Sequence, residues 1–164
     1  MLTLFLTLFL LQGIVADKSF DMSETSKRRT EKVLKPIFKT DVFTYLPISS
    51  DEYNVLYKLY ADSLFSGYLV LTSSLGRAER FEYFILLSPK IEVQKVNIIQ
   101  YHSTRGTGVT SKRWLKQFEG NRGETLRYGK DVQAISGATF SATSITKDVP
   151  RVTRWVNKVV NCKE

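Results

Sequence analysis

Between Ala134 and Thr143 the chain reads AISGATFSAT. Ser136, Thr139, Ser141 and Thr143 place their hydroxyls around Gly137 and Ala138, with no charge in the stretch. Small side chains let a backbone approach a ligand, and Gly137 can take φ values closed to other residues. Hydroxyls donate to phosphate oxygens. A helix beginning just after them adds free N–H groups and the positive end of its dipole. The chemistry that suits this composition is the holding of a phosphate or another anion. A Ser/Thr-rich turn that merely caps a helix has the same composition. A P-loop is excluded, because no G-x-x-x-x-G-K-[ST] run is present.

Cations gather in the same part of the chain. The formal net charge is +8. Residues 17–100 hold 12 basic and 11 acidic residues, whereas residues 101–164 hold 12 and 5. Part of that excess belongs to a solvated face, and the rest suits an anionic partner. Arg105 and Gly106 in STRGTG, and Lys112 and Arg113 in SKRW, lie nearest the glycine loops. Arg105 is the best placed by type, since a guanidinium offers a planar fork of donors. Trp114 reads as core or as a surface for a ring to stack on. His102 is the single histidine, which excludes histidine clusters for a metal, and it reads as solvated or as lining the site. Cys162 is the single cysteine, so no internal disulfide forms.

The elements that must position these residues follow from periodicity. Alternation over Tyr53–Leu59, in GYLVLT, over Arg80–Ser88 and over Ile91–His102 predicts strands. The last two are separated by Pro89 and Lys90. Short turns between successive strands require an antiparallel sheet, because parallel neighbours need crossovers. Trp114, Leu115 and Phe118 mark a short helix ending near Gly120. From Ser141 onward Ile145, Val149, Val152, Val156 and Val159 recur at helical spacing, and Pro150 must kink that helix or open its second half. Thr30–Phe38 predicts a shorter helix that Pro36 should end. The expected fold class is α+β: a single domain with a mainly antiparallel sheet packed by helices, after an N-terminal signal segment.

Residues 1–16, MLTLFLTLFLLQGIVA, carry no charge and fall short of the ~20 residues that span a bilayer. They predict a secretory signal cleaved after Ala16, with an uncleaved anchor as the alternative. The expected organisation is therefore signal 1–16, polar tether 17–29 and domain 30–164. An exported location and the lack of any nucleic-acid motif argue against a nucleic-acid partner.

The stretch QAISGATFSA, Gln133 to Ala142, resembles the attachment motif of the FMN-binding domain family, whose pattern is Asp-(Gly/Ala)-x-(Ser/Thr)-Gly-Ala-Thr. That family includes the C subunit of the sodium-pumping NADH:quinone oxidoreductase, the G subunit of the Rnf complex and small exported electron-transfer proteins. Ser136, Gly137, Ala138 and Thr139 match its core, and Ala134 matches the small residue before it. YHSTRGTG and SKRWLKQFEG are similar to the loop and short helix ahead of the motif, so the resemblance spans roughly Ser66 to Val160.

The resemblance implies FMN as cofactor, joined through its phosphate to the Thr139 hydroxyl by a magnesium-dependent flavin transferase that consumes FAD. It implies an exported carrier of electrons between membrane-associated partners rather than an enzyme with its own substrate. Ser136 and Ser141 would position the phosphate, and Gly137 and Ala138 would let it approach. Arg105, Gly106, Lys112 and Trp114 would complete the site. The family's leading Asp falls on Gln133 here, with Asp131 two residues away. Two readings stand: covalent FMN on Thr139, or a module that holds FMN or another phosphate ligand reversibly, without electron transfer.

Overall fold

The computed structural model describes residues 22–162. The expected signal segment lies outside the described residues. Five strands, β1 (Phe43–Ser50), β2 (Asn54–Ala61), β3 (Leu64–Leu75), β4 (Arg80–Leu87) and β5 (Val93–Gln100), form one sheet in sequence order. Every neighbouring pair is antiparallel, so the sheet is a simple meander. This is the α+β architecture that the alternating runs predict. Asp62 and Ser63 both take positive φ, 49° and 65°, which matches the two-residue turn favoured between twisted strands.

Strand β1 is absent from the sequence reading. Pro47 sits in its middle, and a proline can join a sheet only where its missing N–H is not needed. Strand β1 pairs only with β2, at the edge, and its register slips between Pro47 and Ser49. A proline that argues against an internal strand is thereby accommodated.

Helix α1 (Glu24–Phe38) lies on one face of the sheet. It begins inside the expected tether, because Ser23 accepts from the Ser26 N–H and caps it. Arg29 donates to the Ile99 carbonyl at 2.9 Å, which ties this part of the chain to β5. Pro36 does not end the helix. The helix continues two residues further, to Phe38, and closes at Lys39, whose left-handed φ of 56° and N–H bond to the Lys35 carbonyl form the C-cap. Leu34, Leu59, Leu69, Phe84 and Leu86, all fully buried, fill the space between α1 and the sheet.

The other face carries α2 (Lys112–Leu115) and the long α3 (Thr139–Asn161). Ile145, Val149, Val152 and Val156 are fully buried against Val70, Tyr83 and Ile85, as their spacing requires. Pro150 is inside α3 and does not divide it. Helix α3 starts at Thr139, not at Ser141, so Thr139 is its first helical residue. Among the described residues no helix is long and apolar enough to cross a membrane.

Candidate functional site

At the end of the sheet where β5 finishes, Tyr101 turns inward. Its ring packs on Phe81 at 5.3 Å between centroids. Its hydroxyl lies 3.0 Å from the Arg105 carbonyl and 3.0 Å from the Ser141 Oγ. One phenol thus joins the glycine loop to the first turn of α3. Gly106 has φ +76°, and a Cβ there would stand 2.8 Å from the Tyr101 hydroxyl and 3.5 Å from both Ala138 Cα and the Gly137 carbonyl. The two small-residue loops are packed against each other, which explains glycine at that position.

Between them opens a cavity of about 660 Å³. Thr139, Ser141, Thr143 and Ser144 line it with hydroxyls, Tyr101 and Phe140 with rings, and Arg77, Arg105 and Lys147 with cations. Among the described residues no carboxylate lines it. The size is that of a small-molecule or cofactor site. Ala138, at the N-cap of α3, supplies no side-chain acceptor to the first turn. The helix therefore presents N–H groups and its positive end to whatever occupies the cavity. Thr139 is exposed, while Ser141 is 3% exposed. Gly137 holds a left-handed φ of 73° at the turn into the helix. Hydroxyls, cations, uncapped N–H groups and two rings together fit a phosphate-bearing aromatic cofactor such as FMN.

Gly137, Ala138, Thr139, Ser141, Arg105 and Gly106 thus meet in one cavity. Ser136 and Trp114 do not join them. They line a second, more open groove on the other side of the motif loop, with Gln117 and Gln133. Trp114 is 6% exposed, stands edge-on to Phe118 and donates from Nε1 to the Gln133 carbonyl at 2.7 Å. It anchors the motif loop from below. Lys112 is exposed on α2 and lines neither. His102 is exposed and also lies outside the cavity lining.

The main chain of Gln133 is fixed at both ends, since the Gln117 Oε1 accepts from its N–H at 2.8 Å. Its side chain is exposed. Asp131, two residues away, is engaged elsewhere. It accepts from the Arg127 N–H at 2.9 Å and from the Arg127 guanidinium at 2.8 Å. Those side-chain hydrogen bonds hold its carboxyl below the ordinary carboxylate range.

Sequence reasoning missed Arg77, Tyr101, Phe140, Ser144 and Lys147. Three of these had a usable signal: Phe140, Ser144 and Lys147 follow Thr139 at helical spacing on one face with Thr143, away from the apolar stripe. Arg77 had none, because only the turn between β3 and β4 brings it to the helix.

No curated protein matches the chain. Residues 76–153, from the β3–β4 turn that holds Arg77 to the middle of α3, match the family model of the FMN-binding domain. That segment contains every residue lining the 660 Å³ cavity. By that match residues 76–153 are an FMN-binding domain, which indicates FMN as its cofactor.

Proposed function

We propose that the protein is an exported flavoprotein that carries electrons between membrane-associated partners, with FMN joined by a phosphoester to Thr139. The observation that carries the attachment is the position of that threonine. Its hydroxyl is exposed, at the first residue of α3, at the mouth of an uncapped helix end and inside the cavity. A transferase needs an accessible hydroxyl, and the phosphate needs donors that water does not already satisfy. Arg105 and the free N–H groups of α3 would hold the phosphate. Ser141 would act through Tyr101, fixing the first turn of the helix.

Bound FMN supplies the electron chemistry. The chain's own residues bind it, orient it and limit its contact with water. No acid or base of the protein is required for a carrier. The apolar, uncharged residues 1–16 support export. The donor and acceptor would be proteins of the same membrane.

Gln133 supports a second reading, in which the transferase passes the chain over and FMN binds reversibly. Expression with the host's own transferase separates the two. Covalent attachment predicts flavin fluorescence that survives denaturing electrophoresis, and an intact mass increased by FMN less water. Thr139→Ala should abolish both, and Thr143→Ala should leave both in place. Gln133→Asp should raise the modified fraction. Wild type without added mass, yet able to take up free FMN, would leave only the reversible reading.

A further inference from the structure

The cavity holds more positive charge than an attached phosphate requires. A phosphate esterified to Thr139 carries one negative charge, and three cations line the cavity. Among the described residues the ion pairs join Lys35 with Asp41, Lys95 with Glu119, Arg122 with Glu92, Arg127 with Asp131 and Arg151 with Asp148. Arg77, Arg105 and Lys147 have no such partner among them. Asp148, the nearest acid along α3, accepts from Ser74 and Arg151 and does not line the cavity.

The three cations are also not equivalent in position. Arg105 adjoins Gly106, whose loop touches Gly137 and Ala138, so it stands at the attachment end. Lys147 is eight residues along α3 from Thr139. At 1.5 Å per residue its backbone lies about 12 Å further up the axis, toward the other end of the cavity. Arg77 belongs to the same far end. It sits in the Gly76–Glu79 turn, beside Ser74, and Ser74 bonds to Asp148 at 2.5 Å. The cavity therefore runs along the stripe Phe140, Thr143, Ser144 and Lys147, with one cation near the phosphate end and two at the other.

We propose that Arg77 and Lys147 form a cationic end wall that binds the reduced, anionic flavin ring more tightly than the oxidised, neutral one. This rests on the reading that the phosphate is held at Thr139. Reduction at neutral pH delivers two electrons and one proton to the ring and leaves it one negative charge. Oxidised ring, two electrons and one proton on one side balance the reduced anion on the other. Two unpaired cations at that end favour the charged state, so the end wall raises the potential of the bound flavin above that of free FMN.

The test is a dithionite titration of the flavin-loaded protein against a reference dye, at fixed pH. The set comprises wild type, Arg77→Gln, Lys147→Gln, the conservative Lys147→Arg and Lys158→Gln, a charge change elsewhere on α3. Flavin content per chain is measured alongside. Each end-wall neutralisation should lower the preference for the reduced ring about tenfold, equivalent to about 30 mV for a two-electron couple. Lys147→Arg should recover most of the shift, and Lys158→Gln should match wild type. Unchanged potentials in both neutralised variants, at full flavin content, overturn the proposal and leave Thr139 attachment standing. Loss of flavin in those variants also overturns it, because the cations would then be holding the phosphate. A wild type that carries no flavin and takes up none overturns the attachment reading, and the end wall with it.

Discussion

Tyr101→Phe removes one oxygen atom and should show how the glycine loop and α3 are held together. The phenol makes two hydrogen bonds, to the Arg105 carbonyl and to the Ser141 Oγ. Each is worth about 1 kcal/mol net. The loss also strands the Ser141 hydroxyl, which is 3% exposed, and an unsatisfied buried hydroxyl costs about 1–3 kcal/mol. Part of that overlaps with the lost bond, so the variant should be destabilised by about 2–3 kcal/mol. Ser141→Ala loses one bond but gains about 0.5 kcal/mol of helix propensity, and should cost about 0.5–1 kcal/mol. In the double variant no hydroxyl is stranded. The second loss is then only the Arg105 bond, about 1 kcal/mol. The two singles should therefore exceed the double by about 1–2 kcal/mol.

Urea unfolding of all four proteins measures this, without flavin, because a ligand that binds only the folded state would add its own stabilisation. Additivity within about 0.3 kcal/mol would refute the reasoning. It would mean that the two hydroxyls do not depend on each other, and that the loop and helix are held by packing alone.

Gly106→Ala should lower free-FMN affinity at least tenfold while leaving the far-UV spectrum unchanged, since a Cβ there meets the Tyr101 hydroxyl at 2.8 Å in a left-handed conformation. Arg105→Ala should weaken free-FMN binding ten- to a hundredfold by titration, the worth of a charged hydrogen bond, while Arg113→Ala, outside the cavity, should not. Asp131 contributes through a carboxyl held low by Arg127, so its stabilisation is present at neutral pH and disappears as pH falls through that depressed value. That loss should begin as pH falls below the ordinary carboxylate value, and Asp131→Asn, which lacks the titrating group, should flatten the stability profile there, as acid titration of unfolding for both proteins would show.

Legibility in the sequence followed the range of the interactions involved. Strands β2 to β5 and helix α3 were readable because their burial repeats within a single element: Ile145, Val149, Val152 and Val156 need only the helical period to identify their face. The motif loop was readable because small residues and hydroxyls are packed into one short run. Pro36 misled, and Pro47 lies in a strand that the alternation did not mark. A proline removes a hydrogen bond and fixes φ; at the free edge of β1 that bond is not demanded, while near the end of α1 its cost is outweighed by Leu34 and its neighbours packing on the sheet.

The cavity itself was half hidden because its two walls come from different levels of organisation. Thr139 to Lys147 is one helix, and a reader who places its N-terminus correctly can list the stripe that faces a bound ligand. Starting the helix at Ser141 obscured that stripe. The facing wall depends on register: Tyr101 reaches α3 because β5 ends beside the start of that helix, and Arg77 because Ser74 fastens the end of β3 to Asp148. No local pattern encodes either meeting. Lys112 and Trp114 illustrate the converse, since adjacency in the sequence to a plausible site put them forward, and a short helix places Trp114 in the second groove and leaves Lys112 exposed outside both. Charge can be counted from the sequence, but whether a cation is neutralised depends on which acid the fold places against it. The +7 of residues 101–164 becomes a chemical statement only once Arg105 and Lys147 are seen without acids while Arg122, Arg127 and Arg151 have theirs.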